Sequence, residues 1–86
     1  MIEKRKPLAP ELDRILRTLV IYVYEHRHQP SYAELAELCG LASVQRQIDR
    51  LAALGWLKIT GVPRALEIPP DVYDEIVEQR KDREND

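Results

Sequence analysis

Apolar residues recur along the first third of the chain with the spacing of a buried helix face. Leu12, Ile15, Leu16, Leu19, Val20 and Val23 fall at i, i+3, i+4, i+7, i+8 and i+11. Pro10 suits the first helical position, and Glu11 and Asp13 favour a first turn. The helix is predicted to run to His26–Arg27, because Pro30 disfavours helix in the residue before it. Ser31-Tyr-Ala-Glu34 is a capping box that starts a second, short helix carrying Leu35, Ala36 and Leu38. Gly40 sits where a left-handed C-terminal residue belongs, and Leu41 is expected to tuck into the core. Ser43 is predicted to cap a third helix, with Val44, Ile48 and Leu51 inward and Gly55 ending it. Trp56–Thr60 and Arg64–Ile68 read as two strands joined through Gly61-Val62-Pro63. Pro69-Pro70 breaks the chain, and a last helix carries Val72, Tyr73, Ile76 and Val77. After Glu78 nearly every residue is charged, and fraying is predicted there.

This order is that of an α+β, mostly α fold: a winged helix-turn-helix of three helices and a two-stranded wing, with an extra C-terminal helix. Three parts follow: a charged arm over 1–7, the winged domain over 8–68, and the C-terminal helix with its acidic end over 69–86. A chain of 86 residues makes one small domain, whose core must be compact and well patterned.

Charge matters only once it is divided. The chain carries a net charge of −2. Residues 1–64 hold ten Lys and Arg against seven Asp and Glu, whereas residues 65–86 hold three against eight. A mildly basic body with an acidic tail is compatible with nucleic acid binding. The single cysteine, Cys39, excludes an internal disulfide and reads as a small buried hydrophobe. No secretory h-region and no long apolar run occurs, so the expectation is a cytoplasmic protein with no membrane partner. His26 and His28, two apart, are expected to point in different directions on a helix. No metal site and no cofactor is therefore expected. No glycine-rich phosphate loop, carboxylate pair or nucleophile–base set is apparent, so an enzyme is not expected either.

The third helix carries the candidate chemistry. With Val44 inward, Arg46, Asp49, Arg50 and Ala53 point outward, and Gln45 and Gln47 lie on the flanks. Arginine can pair with guanine N7 and O6, and glutamine with adenine N6 and N7. Arg50, further along, is placed to meet phosphate, and Asp49 opposes it. Ser43, Ser31 and Tyr32 at helix starts, with Lys58 and Arg64 on the strands, complete the candidate DNA contacts. Lys4, Arg5 and Lys6 read equally as a solvated arm or as phosphate contacts. Trp56 is expected to plug the core below the wing, and Tyr22 and Tyr24 to be partly exposed.

Leu8-Ala-Pro10, Gln29-Pro-Ser-Tyr32, Glu34-Leu-Ala36, Gly40-Leu41, Ser43-Val-Gln-Arg46, Leu51, Gly55-Trp-Leu57 and Gly61-Val-Pro-Arg-Ala-Leu-Glu-Ile68 resemble the N-terminal DNA-binding domain of LexA repressors. The resemblance spans residues 8–68. It implies a winged domain that binds palindromic operators in double-stranded DNA as a dimer, with the third helix in the major groove. LexA-like sequences carry a longer connection between the turn Gly-Leu and the Ser-Val-x-Arg segment than Gly40–Val44 allows. Of the family's base-contacting positions, only those in Ser43–Arg46 carry over. No serine–lysine dyad or cleavage region is found in these residues, so autoproteolysis is not implied. In that family the peptidase domain supplies dimerisation. Here Val72, Tyr73, Ile76 and Val77 are the candidate dimer or partner contact, or else pack back on their own domain. The alternative function is a winged-helix interaction module that binds a transcription or replication protein and does not read DNA. The shortened turn, Asp49 and the acidic tail favour it.

Overall fold

The computed structural model describes residues 7–61 and 65–84. The cationic arm Lys4–Lys6, the residues Val62-Pro63 expected to join the strands, and Arg64 lie outside that range. Helix α1 is Pro10–His26, α2 is Tyr32–Leu38 and α3 is Gln45–Ala53; then come β1 Lys58–Thr60, β2 Ala65–Glu67 and α4 Pro70–Glu84.

The central element is α1, against which α2, α3 and α4 all pack. Its predicted stripe is the core: Leu12, Ile15, Leu16, Leu19 and Val20 are buried. Leu35, Ala36 and Cys39 join them from α2 and its C-terminus. Val44, Ile48 and Leu51 come from α3 and its N-cap, Leu57 from just before β1 and Leu66 from β2. Burial of an aliphatic side chain contributes roughly 1.5–3 kcal/mol, and this shared cluster is what holds short helices that would not persist alone.

The helix ends follow from local chemistry. Ser31 Oγ accepts the Glu34 backbone N–H at 3.0 Å, and Glu34 Oε1 accepts the Ser31 N–H at 3.1 Å, so the capping box is complete. Both α2 and α3 close in the same way. Leu41 N–H bonds to Ala36 C=O at 2.8 Å and Gly40 N–H to Glu37 C=O at 3.1 Å. Trp56 N–H bonds to Leu51 C=O at 2.9 Å and Gly55 N–H to Ala52 C=O at 3.1 Å. This is the Schellman pattern, and it requires a left-handed residue, supplied by Gly40 (φ 70°) and Gly55 (φ 85°). At the end of α1 the left-handed position falls on Arg27 (φ 65°), whose N–H bonds to Val23 C=O at 2.8 Å.

The strands are shorter than expected. They pair antiparallel with Lys58 opposite Glu67, Ile59 opposite Leu66 and Thr60 opposite Ala65. The third helix also begins one residue late. Val44 is its N-cap and makes no side-chain cap bond, while Ser43 Oγ reaches only the Gln45 N–H, at 3.4 Å. Val44 is buried all the same, so the predicted inward face stands.

One expectation for the C-terminal helix is corrected. It does not fray after Glu78 but runs to Glu84. Polar ties to α1 support its second half: Arg17 Nη1 donates to Gln79 Oε1, and Arg80 Nη2 meets Glu25 Oε2 at 2.5 Å. The apolar stripe of α4 packs back on the chain's own domain, the second of the two readings given for it above. Val72, Ile76 and Val77 are buried in the chain's own core, and Tyr73 is half-buried against it. The physical reason is that α1 exposes an apolar flank that the three-helix unit leaves uncovered, and α4 covers it.

Candidate nucleic-acid interface

The face of α3 turned away from Ile48 and Leu51 carries Gln45, Arg46, Asp49, Arg50 and Ala53, all of them exposed. Burial of Val44, Ile48 and Leu51 on α1 fixes the rotation of the helix, and the outward set follows from about 100° per residue. Gln47 lies on the flank, as expected. It is half-buried, and its Nε2 donates to Glu11 Oε1 at 3.2 Å, which turns it toward α1. Arg46, Gln47 and Arg50 line one shallow depression with Ala9, Glu11 and Leu12 at the start of α1. The two arginines thus share a rim with one carboxylate, whose charge offsets part of theirs.

The remaining predicted contacts are spread more widely. Ser43 is exposed beside the N-terminus of α3. Ser31 is exposed, but its Oγ is already an acceptor in the capping box. Tyr32 is half-buried, and its hydroxyl is buried with no hydrogen-bond partner among the described residues. Lys58 is exposed on β1, directly across from Glu67. Facing cross-strand residues lie on one side of a sheet, so this pair is positioned for charge attraction. Arg64 lies outside the described residues.

A second cluster was not legible in the sequence. Tyr22 lies between both histidines, with ring centroids at 4.2 Å from His26 and 5.6 Å from His28. The histidine rings are 6.1 Å apart. The expectation that they diverge fails because α1 ends at His26, and the left-handed Arg27 folds His28 back over the last turn. Among the described residues no group of three or more His, Cys, Asp or Glu is gathered to hold a metal ion. Tyr22 Oη also approaches Glu34 Oε2 at 3.5 Å. Hydrogen bonds from the Ser31 backbone, and then its side chain, hold the Glu34 carboxyl below its ordinary range, and His28 and Tyr22 add to the effect. Partial desolvation, followed by the Glu34 charge, pushes the Tyr22 hydroxyl up. Beside this cluster Leu38 is 52% exposed and shares a cleft with Ile21, Tyr22, Glu25 and Arg80.

Cys39 is buried, and Trp56 is half-buried against the core. Sequence reasoning also missed Gln29. Its side-chain amide donates to Leu66 C=O through Nε2 and accepts Leu66 N–H through Oε1, the latter at 3.2 Å. A partner thirty-seven residues away leaves no trace in local periodicity. Among the described residues no helix is long and apolar enough to cross a membrane. No protein-family model matches this chain, and no curated protein or solved structure matches it either.

Proposed function

We propose that this chain is a sequence-specific regulator that binds double-stranded DNA through α3 and acts as a repressor on a palindromic site. The observation that carries the reading is the exposed row Gln45, Arg46 and Arg50 on a helix whose opposite face is locked into the core. Arg46 and Gln45 lie at the helix N-terminal end, the part of such a helix that meets base edges. The two-stranded ribbon that follows α3 is the wing in this reading, with Lys58 as its phosphate contact and Arg64, outside the described residues, as a second candidate. The resemblance of residues 8–68 to LexA DNA-binding domains supports the same assignment. Selection of bound sequences from random DNA is the test. A palindromic consensus is expected, and Arg46→Ala should weaken binding to it by roughly 1–3 kcal/mol with loss of discrimination at one base pair. Equal affinity of Arg46→Ala and the parent for the selected site would refute the assignment.

One observation favours the second reading, an interaction module. Leu38 is exposed in a cleft with Ile21 and Tyr22. Tyrosine, which lines this cleft, is enriched at protein contacts. A salt titration separates the two readings, because phosphate contacts impose a steep loss of affinity with salt. No salt-sensitive DNA binding would leave the interaction module standing.

A further inference from the structure

The ribbon is small. Each strand has three residues, and an isolated two-stranded hairpin is marginal in water. Leu57 and Leu66 anchor it in the core. Leu66 is also the central residue of β2, opposite Ile59. Its N–H and C=O both meet the Gln29 amide, so they point out of the sheet on the side away from β1. A glutamine amide carries one acceptor oxygen and a donor NH2, the same complement as a peptide group. Gln29 therefore occupies the place of a third strand at the position where β2 would present an unpaired edge. The loop holds it there. Pro30, next in sequence, is buried and restricts Gln29 to extended backbone. The Gln29 C=O also lies 3.1 Å from His28 Nδ1.

We infer that Gln29 is a positioning residue: it fixes the ribbon relative to the helical body, and so fixes where Lys58 stands relative to α3. The second half of this inference rests on the DNA-binding reading. A wing contacts phosphate usefully only if it holds a constant offset from the recognition helix. Here that offset is set partly by a side chain of the α1–α2 loop, which is remote in sequence from both.

The test uses the full chain with Gln29→Ala, which removes both bonds, and Gln29→Glu, which keeps the acceptor and sets a carboxylate against the Leu66 carbonyl. Amide hydrogen exchange is read at Leu66 and, as internal reference, at Leu19 in α1. Leu66 exchange should speed up about tenfold in Gln29→Ala, the scale of one broken hydrogen bond, and less in Gln29→Glu, where the acceptor for the Leu66 N–H is kept, with Leu19 unchanged in both. DNA binding is read on the selected site and a scrambled one over a salt series. The variants should bind several-fold more weakly to both. The salt slope should fall by about one for each phosphate that the displaced wing no longer reaches, while the ratio between the two sites stays that of the parent. A drop in overall stability alone would not lower the slope while keeping the ratio. Unchanged Leu66 exchange would overturn the clamp. Faster Leu66 exchange with an unchanged salt slope would overturn the positioning role. A parent chain that binds neither DNA would overturn the DNA reading and this use of Gln29 with it, while the exchange rates would still decide the clamp.

Discussion

Val72→Ala is expected to destabilise the fold by about 2 kcal/mol. Val72 has no solvent exposure and sits on the first turn of α4, in the cluster that α1 organises. The substitution removes two carbon atoms. At about 0.8 kcal/mol per buried methylene the transfer loss is roughly 1.6 kcal/mol, and incomplete collapse of the cavity adds to it. For a domain of this size each kcal/mol moves the thermal midpoint by about 4–8 °C, so a fall of roughly 10 °C is expected. Urea unfolding followed by circular dichroism, at low and at high protein concentration, is the assay. A cavity enclosed within one chain gives the same difference between variant and parent at both concentrations. A cavity at a dimer interface gives a difference that grows or shrinks with concentration, because association stabilises by mass action. A cost under about 0.5 kcal/mol, within the range of ordinary surface substitutions, would refute the docking of α4. A concentration-dependent difference would return the stripe to an interface role.

Further expectations bear on the helix ends. Arg27 holds a left-handed conformation (φ 65°) that glycine adopts without strain, so Arg27→Gly should raise stability by about 0.5–1 kcal/mol in the same unfolding assay. Gly40→Ala should do the reverse, costing about 1 kcal/mol. An added Cβ meets nothing within 4 Å there, so the cost would be conformational rather than steric. Ser31→Ala removes the cap on α2 and should cost about 1 kcal/mol. The Glu34 carboxyl is held low by Ser31 in the folded state. Its contribution is then fully present above the unfolded carboxylate range and is lost as pH falls through the lowered folded value. Thermal midpoints of Glu34→Gln should accordingly fall less on acidification than those of the parent, and parallel curves would contradict the assignment.

Much of the architecture was legible because local rules and burial agree. The i, i+3, i+4 stripe of α1 had to face inward wherever its partners came from. Ser31 and Glu34 satisfy the first turn of α2 with groups only three residues apart. Gly40 and Gly55 mark helix ends because few other residues take positive φ without strain. The candidate site was legible to a lesser degree. Once Val44, Ile48 and Leu51 are inward, Gln45, Arg46 and Arg50 must be outward, which is helical geometry and nothing more. Gln47 sits on the flank, as its place on the wheel implies, but that its amide meets Glu11 on another helix was beyond local geometry.

What the residues alone determined, then, was where each element lies and which face of it is apolar. Both are properties of neighbours within about four positions along the chain. The tertiary structure decided what covers those faces. It packed the Val72–Val77 stripe into the chain's own core, and it joined α4 to α1 through Arg17–Gln79 and Arg80–Glu25. It brought His28 back over Tyr22, and it set Gln29 on the edge of β2. Each of these joins groups brought together only by folding. Such polar pairings carry no period, so the pattern of hydrophobic and polar positions could not announce them.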